Sequence, residues 1–506
     1  MRRPTTKPAA PADLAGAATL HGEASLDRLT EALLTVDAGS APAALRALAA
    51  TPRVIARLDE HARRVRWWTP DSVLVGRVGR RLRHDRANPV ALALATTHGD
   101  GHVRERAVER LLAAPHPDLV PFLVLRTADW VGPVRDRARA GLALLLADDP
   151  DTYLPAALAM AVLGNARHRG GFAHTQAVAS LLAAPPELRE RLLATGGRAE
   201  RRLILQLGLS HGWWPPETVL AAAPDVSVRV RAAEAACRQA VWTRQLDTLR
   251  RLARHRHTEV RAVALTGLVR AGEDGAVAAH LADTSPLIRA IARDAARRAG
   301  VDALGHYRAA VTGAEPAPGA IAGLAETGGE AETPLLRALL THPSGRVRAA
   351  AVRALRQLDA VPVDETVPLL RDPSPAVVRE ATAALRPFTR RVPDEVARAL
   401  LTDPHRAELR QAGYRLLYVR GVAERLRAAL LLATDPDPRL ARRAVADATG
   451  LAREAASPGW GRRSWPALDV PAARIAELAD LTDKAAPALR PGTTRMLHAW
   501  LAASPP

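Results

Sequence analysis

The chain has 506 residues, and 71 Lys plus Arg against 53 Asp plus Glu leave a formal net charge of +18. Apolar residues make up 48%, enough to bury a core, but Phe, Trp and Tyr together make only 3%, so that core must be built from Leu, Val and Ala. Few strand-favouring residues, with 39 Pro and 33 Gly as punctuation, exclude a large β-domain, and a single cysteine, Cys237, excludes an intramolecular disulfide or a Cys-based metal site.

Residues 1–23 are expected to be a flexible leader: Arg2, Arg3 and Lys7 are interrupted by Pro4, Pro8 and Pro11, and no apolar signal core follows. The chain has no stretch of about 18 uncharged apolar residues, so no membrane span is expected. Together with the lone cysteine this points to the cytoplasm. Lys7 and Lys484 are the only lysines, and the arginine bias has the look of a GC-rich genome. Codon usage selects the cation but does not explain an excess of 18 positive charges, which suggests an anionic partner.

Residues 24–86 form a basic helical N-terminal segment. Between 53 and 86, ten Arg face Asp59, Glu60, Asp71 and Asp85, a local net of +6. On the helix expected after Pro70, Arg77 and Arg81 lie one turn apart, and Arg80 and Arg83 make a neighbouring stripe. Such a face is either simply solvated or an anion-binding surface, and the same choice applies to Arg250, Arg251 and Arg254.

From residue 87 to 456 the sequence repeats itself: an Asp or His, a short gap, Val or Ile, then Arg, Ala, and Leu or Ala. Clear copies are Asp129, Val134, Arg135, Ala138, Leu142; His255, Val260, Arg261, Ala264, Leu268; and His342, Val347, Arg348, Ala351, Leu355. The apolar position recurs at 103, 134, 228, 260, 288, 347, 378, 409 and 440, a spacing of about 31 residues or its multiples. Apolar residues at i, i+4 and i+8 share one helical face, and the Asp stands where an N-cap accepts backbone N–H groups. A helix opening with Pro and acid precedes each copy, as in Pro393-Asp394-Glu395 and Pro216-Glu217. The unit is a helix, a short turn and a second helix, which must stack on its neighbours to bury an apolar face.

Two tryptophan pairs, Trp67-Trp68 and Trp213-Trp214, each precede a first helix, where staple packing and a stacking contact are both open. The segment 457–466, SPGWGRRSWP, has turn residues and no periodicity. It reads as an exposed loop whose Trp460, Arg462, Arg463 and Trp465 are contact candidates. A helical C-terminal cap completes residues 457–506.

Nucleotide-binding loops, nucleophile elbows and zincin helices are absent from the sequence. His255 and His257 lack a third ligand at metal spacing, and Asp148, Asp149 and Asp151 read as caps. No catalytic residue, metal or cofactor is assigned, and an enzyme is disfavoured.

The prolines of the first helix, with the Asp and Val-Arg of the second, resemble the HEAT-repeat family, and at this short period the HEAT-like repeats named after phycobilin lyase subunits. The resemblance implies an all-α, right-handed α-solenoid of about a dozen helical hairpins. It also implies that Arg104, Arg135, Arg229, Arg261, Arg289 and Arg348 form a structural ladder, each reaching the turn Asp of an adjacent repeat. The function favoured is a non-enzymatic scaffold holding an acidic protein or peptide on its concave surface. The alternative is nucleic-acid binding, as a scaffold or as a relative of the HEAT-like alkylated-base DNA glycosylases. Tetrapyrrole chemistry is suggested only by the name of the repeat type. Oligomeric state is not legible.

Overall fold

The computed structural model describes residues 23–37, 39–64, 88–456, 468 and 470–503. These form α-helices joined by turns and short 3-10 segments, with no strand among the described residues, and the chain divides into two compact units, 1–239 and 240–506. The division falls inside the stretch that the sequence reads as one array. No helix among the described residues is long and apolar enough to cross a membrane.

In the first unit, α1 (Glu23–Thr35), α2 (Ala41–Ala49) and α3 (Pro52–Arg64) precede five helical pairs. These are α4 (Pro89–Ala95) with α5 (Gly101–Ala113), α6 (Val120–Arg126) with α7 (Gly132–Asp148), and α8 (Pro150–Gly164) with α9 (Gly171–Ala183). After them come α10 (Pro186–Thr195) with α11 (Arg198–His211) and α12 (Pro216–Ala222) with α13 (Val226–Trp242). Leu29, Leu33, Leu45 and Leu58 of the first three helices share one core with Val90, Val108, Phe122 and Leu142. The described part of the N-terminal segment is therefore packed as a continuation of the array.

The second unit stacks eight pairs among its described residues. They are α14 (Leu246–Leu252) with α15 (Thr258–Arg270), α16 (Asp274–Ala278) with α17 (Pro286–Arg298), α18 (Ala303–Thr312) with α19 (Pro318–Thr327), and α20 (Thr333–Ala338) with α21 (Gly345–Gln357). Next are α22 (Val363–Thr366) with α23 (Pro375–Leu385), α24 (Asp394–Leu401) with α25 (Ala407–Leu417), α26 (Val422–Leu432) with α27 (Pro438–Ala456), and the terminal α28 (Ala472–Ala485) with α29 (Pro491–Ala502).

Proline starts helices of both kinds, because a first-turn residue has no intrahelical N–H bond to lose. Pro89, Pro150 and Pro216 open first helices, while Pro286, Pro375 and Pro438 open second ones. Most second helices then bury their third residue and those four and eight further on: Val134, Ala138 and Leu142; Val260, Ala264 and Leu268; Ile288, Ala292 and Ala296; Val347, Ala351 and Leu355. In α23 the start at Pro375 makes Val377 the third residue, with Ala381 and Leu385 below it, so the register lies one residue before the Val378 that spacing alone suggests. Both valines are buried, which is why the sequence pattern does not separate them.

The middle position of each triplet is small because the partner helix passes close to it. In α25 it is Gly413, where an added Cβ would overlap the backbone N of Leu401 and lie 2.7 Å from the Ala397 carbonyl oxygen. Gly413→Leu should therefore destabilise the second unit by about 1–3 kcal/mol or more in denaturant unfolding. Gly450→Ala on α27, with nothing within 4 Å, should stabilise it by up to about 1 kcal/mol. Equal effects of the two would refute this account of the helix contact.

Candidate anion-binding face

The fourth residue of a second helix points back into the turns. In α5, Arg104 donates from Nε and Nη2 to both carboxylate oxygens of Asp129 in the next turn, at 2.9 Å each, and from Nη1 to the His98 carbonyl of its own turn at 2.7 Å. Arg261 treats Asp283 and His255 alike, Arg348 treats Asp372 and His342 alike, and Arg410 treats Asp435 and Asp403 alike. One planar guanidinium thus ties two consecutive turns together with charge-assisted bonds.

The turn aspartates do more than receive arginine. Oδ1 of Asp129, Asp283, Asp372 and Asp435 accepts the N–H of the residue two positions on, at 2.8–2.9 Å. Asp129, Asp283 and Asp372 precede the N-caps Val131, Ser285 and Ser374, so they brace the turn and are not themselves the caps; Asp100 is an N-cap. In the turns at His98, His255 and His342 the ring Nδ1 accepts the equivalent N–H at 2.9–3.2 Å, which requires a neutral imidazole.

The clasp is not universal: α9, α19, α27 and α29 carry His174, Ile321, Ala441 and Thr494 at the fourth position, and three further positions depart from the arrangement in instructive ways. Arg289 reaches Glu326 of α19 together with the Asp283 carbonyl. Arg135 donates to the Asp129 carbonyl at 3.2 Å and pairs with Asp136 at 3.3 Å, because the following turn, 165–170, contains no carboxylate. Val378 holds the fourth position of α23, and there Arg406 supplies the missing bond, donating to the Asp372 carbonyl at 2.8 Å. Arg229 occupies the fourth position of α13. In the first unit a fully buried Arg126 joins Asp129, at 2.8 Å, to Asp59 and so locks α3 onto α6.

Among the other candidate contacts, Arg250 is held by Asp247 at 3.1 Å and Glu273 at 2.9 Å. Arg251 is exposed on the same helix, and Arg254 lies beside His280, whose protonation is disfavoured chiefly by burial. Arg77, Arg80, Arg81, Arg83, Trp460, Arg462, Arg463, Trp465 and the pair Trp67-Trp68 lie outside the described residues. Trp214 packs on Gly208, and Trp213 stands under the Arg189 guanidinium, 4.1 Å from the ring centroid; both indoles lie against the first unit's core. Asp149 caps α8, and Asp151 pairs with Arg191. Cys237 is buried, which pushes its thiol up to about 11 and leaves it unreactive at neutral pH. No group of three or more His, Cys, Asp or Glu among the described residues could hold a metal ion.

Sequence reasoning missed the arginines on α21, α23, α25 and α27. These four helices carry eleven Arg and four acids. Arg353, Arg356 and Arg379 converge on one buried carboxylate, Glu380, at 2.7, 3.7 and 3.7 Å. Burial works against its charge, but the hydrogen bond from Arg353 and the three guanidinium charges keep it ionised. Arg415 has no such partner. Burial, then the charges of Arg443, Arg386 and Arg379, all disfavour its charged form.

A register rule connects these groups. The ninth residue of a second helix lies beside the sixth of the next: Glu109 of α5 pairs with Arg137 of α7 at 2.8 Å, and Arg353 of α21 with Glu380 of α23 at 2.7 Å. In α25 and α27 the same two positions are Arg415 and Arg443, which repel. Arginine at both positions was the readable signal.

The helical pairs and their clasped turns define an all-α repeat protein. Residues 318–386 and 332–418 match the family model for HEAT repeats, so this part of the second unit is similar to that family. No curated protein matches it. Among solved structures, an engineered protein is 18% identical over 96% of this chain and 98% of its own, with a TM-score of 0.17. UNC-45 from Drosophila melanogaster is 14% identical over 80% of this chain and 74% of its own, with a TM-score of 0.21. The likeness to HEAT repeats rests on the match over residues 318–418 alone.

Within the turns, Arg348→Ala leaves Asp372, 5% exposed, without its partner and should cost about 3–5 kcal/mol; the double variant with Asp372→Ala should recover part of that in a double-mutant cycle. Burial lowers the His98 pKa to about 4, below its unfolded value of about 6.5, so the folded state favours the neutral ring. That stabilisation is complete above about pH 6.5 and drains away as pH falls towards 4. His98→Asn keeps an acceptor that does not titrate, and its melting temperature should fall less over this range; superimposable profiles would remove His98 from the account.

Proposed function

We propose that this chain is a non-enzymatic HEAT-repeat scaffold that holds an acidic protein or peptide segment along the second helices of its 240–506 unit. The observation that carries the reading is the set of exposed arginines Arg346 on α21, Arg386 just beyond α23, and Arg439 and Arg443 on α27, in a stretch where arginines outnumber acids. The acids nearby are already engaged: Glu380 by three arginines, Glu408 by Arg406, and Asp447 by Arg425 and Tyr414. The excess charge is therefore available to something outside the chain. Repeats that contact only their neighbours present such a set over a long distance, which suits an extended segment.

The test is a titration by fluorescence anisotropy of a glutamate-rich peptide and a DNA duplex, each at several salt concentrations. Wild type is compared with the triple variant Arg346→Glu, Arg386→Glu, Arg443→Glu. Each substitution is exposed and should alter stability by no more than about 0.5 kcal/mol. Peptide affinity should fall by more than about tenfold. An unchanged affinity would sink the proposal. Tighter duplex binding by wild type, with a log–log salt slope that the variant reduces by about 0.9 for each phosphate it no longer neutralises, would replace the acidic peptide with nucleic acid.

A further inference from the structure

The arginine set is unevenly neutralised. At its α21–α23 end, Glu380 accepts from Arg353 and stands 3.7 Å from Arg356 and Arg379, so much of that charge is cancelled within the fold. One step along, Arg415 of α25 is half-buried and holds the ninth position, which the register of the Glu109–Arg137 and Arg353–Glu380 pairs puts beside the sixth-position Arg443 of α27, and the charges of Arg386 and Arg379 also act on it. Arg386, Arg415 and Arg443 make no ion pair or hydrogen bond with any described side chain. On α27 itself the acid one turn beyond Arg443 is Asp447, and it accepts from Arg425 and from the Tyr414 hydroxyl.

We infer that Arg386, Arg415 and Arg443, with the Glu380-paired Arg379 at their edge, form a binding site for a phosphate monoester carried by a peptide, that is, for a phosphorylated Ser, Thr or Tyr of the acidic partner. This rests on the scaffold reading above and narrows it. The chemistry follows from the charge count. A carboxylate offers one negative charge and two oxygens, whereas a phosphate monoester brings about −1.5 to −2 at pH 7 and three strong acceptors. Planar guanidinium forks bind those oxygens in pairs, which a lysine cluster could not do. Arginines that converge without a counter-charge repel one another until such a dianion arrives, so the attraction is concentrated at one point.

That concentration favours a phosphopeptide over nucleic acid. A nucleic-acid backbone presents singly charged phosphates at even spacing and needs a continuous track. Here the same helices also carry Glu380 and Asp447, so the positive charge is not continuous along them. On the same helical pairs, Tyr414 is buried and the Tyr418 face is covered by the Arg425 guanidinium, 4.2 Å from its centroid, so neither offers a platform for a base. Arg415 also has no structural employment: it makes neither the turn bonds of Arg410 nor a carboxylate pair like that of Arg353.

The experiment uses the full chain and a short Gly/Glu peptide with serine, aspartate or phosphoserine at its centre. At pH 7.5 the phosphoserine form should bind about tenfold tighter than either of the others. That advantage should shrink as pH falls through about 6, where the phosphate loses its second charge. Arg415→Met should abolish the advantage, leave the serine form bound within about twofold, and keep or raise the melting temperature, because it removes a charge that its surroundings repel. If Arg415→Met lowers the melting temperature, the exposed pair Arg386→Gln with Arg443→Gln provides the same binding test. Equal binding of the three peptides by wild type overturns the phosphate site while the scaffold reading stands. If no peptide binds, the scaffold reading itself fails. If a DNA duplex competes for the site and loses affinity equally in Arg415→Met, the site takes phosphodiesters and the inference is overturned.

Discussion

The clasp between the fourth-position arginine of one second helix and the turn aspartate of the next is the interaction on which this architecture depends. In a repeat stack few distant segments return to fix a pair of helices, and most pairs are oriented by their neighbours. Leu, Val and Ala burial supplies the cohesive energy but is non-directional. A bidentate guanidinium–carboxylate pair is directional, and here it is further constrained because the same guanidinium holds a carbonyl of its own turn, as Arg348 does with His342. With Arg348 and Asp372 only 13% and 5% exposed, the pair is dry enough for a misaligned neighbour to leave a charge unpaired. The clasp therefore contributes more to register than to net stability.

The exceptions reinforce that view. Where Val378 replaces arginine, Arg406 comes from the following turn to bind the Asp372 carbonyl, and Asp403, which would have been clasped, is satisfied by the N–H groups of His405 and Arg406. Where the turn 165–170 offers no acid, Arg135 falls back on the Asp129 carbonyl. In both places the backbone bonds of the turn are kept even though the ion pair is lost. Satisfying buried turn amides and carbonyls is thus the more stringent requirement, consistent with the cost of leaving such groups unpaired.

Much of this was legible in the sequence because the clasp forces a spacing. Val347 and Arg348 at one end and Asp372 at the other can only recur at the length of one helical pair, so the period, the helical class and the buried triplets were all readable. The turn chemistry was less so: Asp129 two residues ahead of the N-cap Val131 differs from a capping Asp such as Asp100 only in loop length. Val377 and Val378 were indistinguishable because both are buried. The anion-binding face was hidden for another reason. Charge counts point to Arg250, Arg251 and Arg254, yet Arg250 is claimed by Asp247 and Glu273, and which carboxylate reaches which arginine is a property of the stacked helices.

Stacking turns that missing information into a simple comparison. Ninth- and sixth-position residues of consecutive second helices are neighbours, and at two steps of the array the pair is complementary: Glu109 with Arg137, and Arg353 with Glu380. These pairs show that the geometry accommodates opposite charges at short range, so an acid at position 443 would have completed the series at no evident steric cost. Arginine there instead adds a third like charge, beside those of Arg386 and Arg379, acting on the half-buried Arg415, in a fold that elsewhere provides carboxylates for its buried arginines. A codon bias that favours arginine over lysine explains the choice of cation at position 443 but not the presence of a cation. The reversal of charge within a fixed register is what separates this cluster from the solvated arginines that cover the rest of the molecule.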